Sequence, residues 1–120
     1  MIVITESFKK RELKKVAVYF TVADIKEAVR KIPSSGISMG SAGFDHCCIY
    51  KVRIGSKPPG RMIIFLEVQK DYYIPVVIRL KNDKIFGENL SMENKNAKEL
   101  IIGNISRSLD DLQQGKYEKI

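Results

Sequence analysis

The chain has 120 residues, 44% hydrophobic and 29% charged, which predicts one globular domain with one core and excludes a disordered chain. No apolar run approaches the roughly 20 residues that span a bilayer, and the start, "MIVITESFKK", has too short an apolar run for an export signal. Formal net charge is +7, held unevenly: residues 1–61 carry 12 Lys and Arg against 5 Asp and Glu, whereas residues 62–120 carry 9 of each. An excess confined to the first half points to a polyanionic partner, with a solubilising basic surface as the alternative.

Residues 2–5, "IVIT", read as a short strand. Ser7 can cap a helix whose Leu13, Val16, Ala17 and Phe20 share one face. Its other face carries Lys9, Lys10, Arg11, Lys14 and Lys15 against Glu12. Thr21 followed by Asp24 resembles a capping box with a shorter acid. Ile25, Ala28, Val29 and Ile32 then repeat the helical spacing until Pro33 stops it. This predicts a helical hairpin, with one longer bent helix as the competing reading. Residues 33–43, "PSSGISMGSAG", read as a flexible connector, because they contain neither G-K-[ST] nor G-x-G-x-x-G.

Three strands are predicted at 47–54, 61–68 and 72–81, joined by "GSKPPG" and "QKD", turns short enough for antiparallel hairpins. Pro75 falls mid-strand, where its missing N–H argues for an edge or a bulge. A last helix over 95–113 places Ala97, Leu100, Ile101, Ile105, Leu109 and Leu112 near one face. Residues 114–120 read as a loose tail. The expected fold is α+β, ordered β-α-α-β-β-β-α. A helical hairpin packs on a mainly antiparallel small sheet, with a C-terminal helix added, in a single domain spanning 1–120.

Cys47 and Cys48 are adjacent, so in a strand they point to opposite faces and are poorly placed to pair. With a single histidine and no ligand-like spacing, neither a metal nor a cofactor is expected, and a reducing, cytoplasmic setting fits best.

Alternation along the strands gives each an apolar face. The opposite faces would together carry Lys51, Arg53, Arg61, Arg79 and Lys81, with Phe65 and Tyr73 among them and only Glu67 in opposition. Such a cationic face suits phosphate, which the planar guanidinium fork matches. Aromatic rings beside it can stack on unpaired bases. The expectation is an RNA-binding face, with decoration against edge-to-edge aggregation as the plainer alternative.

Over residues 2–90 the chain resembles the RelE/ParE superfamily of toxins from toxin–antitoxin pairs. The likeness rests on "IVITESFKKRELKKV", a strand entering a helix through a phenylalanine. It rests more on "YKVRIGSKPPGRMIIFLEV" followed by "YYIPVVIRLKNDK". These match the family's basic hairpin strand, glycine turn, arginine-led strand and basic strand end.

The resemblance implies a cytoplasmic RelE-like mRNA interferase. This is an endoribonuclease acting on mRNA, often at the ribosome, in which a 2′-hydroxyl attacks the adjacent phosphate. The implied partners are a cognate antitoxin, mRNA and the ribosome, with no membrane and no cofactor. Lys51, Arg53 and Arg61 match the catalytic positions. Arg61 would bind the scissile phosphate. Lys51 would take the 2′-hydroxyl proton, a role eased by like charges nearby. Arg79, Lys81, Lys84 and Tyr73 would bind flanking RNA. The alternative is a non-enzymatic ParE-like toxin or binding module using the same face.

The chain departs from the family pattern where a general acid often stands. It has Phe86, which carries no proton to give, and Tyr117 in the expected tail. His46 is a possible acid or base, or a structural residue.

Overall fold

The computed structural model describes residues 1–83 and 90–120. β1 (Val3–Thr5) leads into a first helical stretch made of α1 (Glu6–Phe8), a π-helical segment (Lys9–Leu13) and α2 (Lys14–Val16). α3 (Val22–Arg30) and the single turn α4 (Ile32–Ser35) follow. β2 (Ile37–Ser38), β3 (Cys47–Ile54), β4 (Gly60–Glu67) and β5 (Tyr72–Leu80) form an antiparallel sheet in that order. α5 (Lys95–Gln113) comes next, and β6 (Tyr117–Lys119) pairs antiparallel with β1. The fold is α+β, with an antiparallel sheet and a C-terminal helix.

The first helix starts earlier than its sequence predicts. Thr5 is the cap, its Oγ1 accepting from the Phe8 N–H at 3.2 Å, while the Ser7 N–H donates to Asp111 Oδ2 at 2.7 Å. The Lys14 N–H then reaches back five residues to the Lys9 carbonyl, the signature of a π turn. Widening the turn puts Phe8, Glu12 and Val16, four residues apart, on the buried stripe and leaves Ala17 exposed. At α3 the capping box is complete: the Thr21 N–H donates to Asp24 Oδ2 at 2.8 Å, and the Asp24 N–H to Thr21 Oγ1 at 3.2 Å.

The sheet separates two apolar clusters. On one face Val52, Ile54, Met62, Ile64 and Ile78 meet Phe8, Val16, Phe20, Ile25 and Val29 from the N-terminal helices. On the other, Ile49, Ile63, Phe65, Ile74 and Val77 meet Leu90 and α5 residues Ala97, Ile101 and Ile105. The expectation of one wholly open sheet face is therefore corrected. α5 covers that face because its apolar stripe needs a second apolar surface, which Ile49, Ile63 and Phe65 provide.

Two further expectations change. Register shifts between Ile63 and Ile64, which pair with Val77 and Pro75, so Val76 is the extra residue of a bulge. Pro75 thus lies at both a bulge and the sheet's outer strand. The residues expected as a loose tail are ordered instead: Tyr117, Glu118 and Lys119 pair with Thr5, Ile4 and Val3, and Ile120 packs against the first cluster.

The outer edge of β5 is closed piece by piece. The Tyr73 N–H donates to the Met1 carbonyl at 2.8 Å, and Ile2 makes a parallel bridge to Tyr73. Pro75 has no N–H to leave open. Asn104 Nδ2 of α5 donates to the Val76 carbonyl at 2.7 Å, and the Ile78 N–H donates to Glu12 Oε1 at 3.1 Å. An edge so capped offers no template to another strand.

Candidate nucleic-acid interface

β3 and β4 pair with Arg53 opposite Arg61, and β4 and β5 with Arg61 opposite Arg79. Three arginines therefore form one row across three strands, about 5 Å apart at Cα. Lys51 lies two residues before Arg53, on the same side of β3. A cleft of about 330 Å³ opens there, lined by Lys51, Val52, Arg53 and Arg61 and, from the segment read as a connector, Ser35 and Ile37. Ile37 pairs with Lys51 through β2, which brings that segment to the cleft. The only hint of this in sequence is the β-branched Ile37 between Gly36 and Ser38.

Neither Arg53 nor Arg61 has an ion-pair or hydrogen-bond partner among the described residues. Lys51 is half-buried and donates one hydrogen bond from Nζ to the Leu90 carbonyl at 3.3 Å. A lysine ammonium has three donors, so two remain for a ligand. Like charges directly opposite one another on a ladder are unfavourable, on the order of 1 kcal/mol when water screens them. A phosphate oxygen bridging both guanidiniums would reverse that sign, since each charge-assisted hydrogen bond contributes about 1.5–3 kcal/mol.

The other predicted site residues divide. Arg79 continues the row but belongs to the fold. Its Nη2 donates to Glu12 Oε2 at 2.7 Å and its Nε to Glu12 Oε1 at 3.2 Å, with the Glu12 side chain only 3% exposed. Tyr73 is corrected to the opposite face, against the first cluster, because the bulge inverts the alternation before it. Phe65 is buried and meets Phe44 edge-to-face, with ring centroids 5.7 Å apart, so it offers no stacking surface. Lys81 is exposed just beyond β5, beside Pro58, Pro59 and Asn82. Lys84 and Phe86 lie outside the described residues.

His46 stands apart from the cleft. It is exposed, in a left-handed conformation with φ 54°, and its carbonyl accepts from the Val68 N–H. That is the end of β3 away from Arg53, roughly 17 Å along the strand from Lys51. Tyr117 sits on the β1–β6 ribbon, packs against the second cluster and does not line the cleft.

The hairpin glycines make room for an aromatic ring. A Cβ on Gly60 would come 2.5 Å from Phe20 Cζ and 2.9 Å from the Arg79 carbonyl, and one on Gly55 would come 2.6 Å from Phe20 Cε1. The space they leave is filled by the Phe20 ring and not by a ligand.

Compared with protein-family models, curated proteins and solved structures, the chain matches none. Among the described residues no group of three His, Cys, Asp or Glu is placed to hold a metal, and no helix is long and apolar enough to cross a membrane.

Proposed function

We propose that the protein is an endoribonuclease of the RelE-like kind, the toxin of a toxin–antitoxin pair, acting on mRNA in the cytoplasm and at the ribosome. The observation that carries this reading is the Arg53–Arg61 pair, two opposed guanidiniums without counter-charge among the described residues, lining one cleft with Lys51. The sequence likeness over residues 2–90 supplies the reaction class.

In that reaction the neutral amine of Lys51 receives the 2′-hydroxyl proton and becomes the ammonium, and the 2′-oxygen forms a bond to the adjacent phosphorus. Arg61 and Arg53 hold the non-bridging oxygens as charge builds on them. The bond to the 5′-oxygen breaks, leaving a cyclic phosphate and a 5′-hydroxyl. No described side chain lining the cleft is an acid, so the leaving oxygen takes its proton from water.

The same shortage of an acid favours a second reading, a non-enzymatic toxin that uses the cationic cleft only to bind. An acidic antitoxin segment is the partner in either case. The exposed apolar residues Val18, Tyr19 and Val22, close in sequence to Lys14, Lys15 and Lys26, suit such a segment.

Induced expression followed by mapping of mRNA 5′ ends separates the two readings. New 5′-hydroxyl ends, with cyclic phosphates on the upstream fragments, are expected. Growth arrest without new ends favours the binding-only toxin.

A further inference from the structure

A second cationic cleft lies where the first helical stretch meets α5 and β5. Its volume is about 260 Å³, and its walls carry Arg11, Lys15, Arg79 and Arg107, with Glu12 and Asn104. Four cations thus face one carboxylate. That carboxylate is already committed, since its two oxygens accept from Arg79 and from the Ile78 N–H. Arg11 and Lys15 are exposed, so the excess charge is open to solvent.

Arg107 gives an independent indication of a ligand. Its Nη2 donates to Asn104 Oδ1, but its Nε is buried without a partner among the described residues. A buried unpaired donor is unfavourable and calls for an acceptor. One turn earlier on the same helix, Gly103 makes room for this side chain. A Cβ there would lie 3.3 Å from Arg107 Nη2 and 3.6 Å from Nη1. Glycine inside a helix is unfavourable, and here its absent side chain lets the guanidinium lie close to the helix.

We propose that this cleft is a second phosphate site, binding a backbone phosphate of the RNA strand whose reacting phosphate lies between Arg53 and Arg61. This rests on the RNA-binding reading above. The row Arg53–Arg61–Arg79 joins the two clefts across two strand spacings, roughly 10 Å. A strand stacked as in a duplex covers that in about three nucleotides at ~3.4 Å each, and an extended one in fewer. Arg79, fixed by Glu12, contributes charge at the junction, and Arg11, Lys15 and Arg107 make the contacts.

The test is binding of a 2′-O-methyl RNA 12-mer, which cannot undergo the transesterification, measured by fluorescence anisotropy from 50 to 300 mM salt. Arg107→Gln and the exposed pair Arg11→Gln/Lys15→Gln should each weaken binding about tenfold. Each should also lower the salt slope by ~0.7, one phosphate contact on a single strand. Gly103→Ala should weaken binding as well while the melting temperature holds or rises, which a merely structural role for Arg107 would not produce.

If the 12-mer binds but these variants match wild type in affinity and slope, the second site is overturned and the first stands. If the 12-mer does not bind wild type at all, both fall. Inorganic phosphate that stabilises wild type but not the variants, with the RNA slope unchanged, would show a small-anion site and overturn the proposal.

Discussion

The carboxylate of Glu12 holds three donors at once: Nε and Nη2 of Arg79 and the Ile78 N–H. Removing one member of so buried a pair strands the other, a loss of about 3–5 kcal/mol. Glu12→Ala is therefore expected to lower stability by that amount in a urea melt, and Arg79→Ala by a similar amount. Arg53→Ala, which removes an exposed cation with no ion pair among the described residues, should change it by less than about 0.5 kcal/mol. A Glu12→Ala variant as stable as wild type would contradict the buried-pair account. Little of this distinction is visible in the sequence. Arg53, Arg61 and Arg79 look alike there, and Glu12 looks like one acid on a basic helix face. What sets Glu12 apart is its spacing of four from Phe8 and from Val16, which places it on their apolar stripe.

Around the β3–β4 hairpin, Phe20 seats its ring against Gly55 and Gly60 and so ties the end of the first helical stretch to the sheet. Gly60→Ala would drive a methyl into that ring and into the Arg79 carbonyl, and overpacking of this kind costs about 1–3 kcal/mol. The expected outcome is a lower melting temperature that Phe20→Leu partly restores in the double variant. A neutral Gly60→Ala would show that the ring does not sit there. At this scale the sequence was most informative where one period ran unbroken: the strands at 47–54 and 60–67, the 95–113 helix and the Thr21–Asp24 cap. It misled where a single residue breaks the period. The extra Val76 turns Tyr73 away from the arginines, and the π turn moves the buried stripe of the first helix. β6 was missed because "YEK" gains its order from β1, a partner more than 100 residues away in the chain.

For the molecule as a whole, a sheet packed on both faces confines its open cations to the end of one face that α5 leaves uncovered, where Lys51, Arg53 and Arg61 stand. The packing also makes a pH prediction. Burial raises the Cys47 thiol above its ordinary value, helped by the charges of Cys48, Asp45 and Glu67. Burial likewise raises the Tyr50 hydroxyl, with Cys48 adding to it. Groups raised on folding stabilise fully below their unfolded pKa, about 8.5 for a thiol and about 10 for a phenol, and lose that contribution as pH climbs through the folded value. The melting temperature should therefore fall above about pH 8.5, less steeply in Cys47→Ala; a rise over that range would contradict the burial of both groups. The central claim, that the opposed arginines form a phosphate site for RNA cleavage, is tested most directly at Arg61. The measurement is single-turnover cleavage of an RNA substrate by Arg61→Ala, beside wild type and a Lys116→Ala control. Losing one preformed donor to the transition state predicts a rate lower by roughly 10² to 10³, with the melting temperature unchanged. Wild-type cleavage by a stably folded Arg61→Ala protein would contradict the assignment.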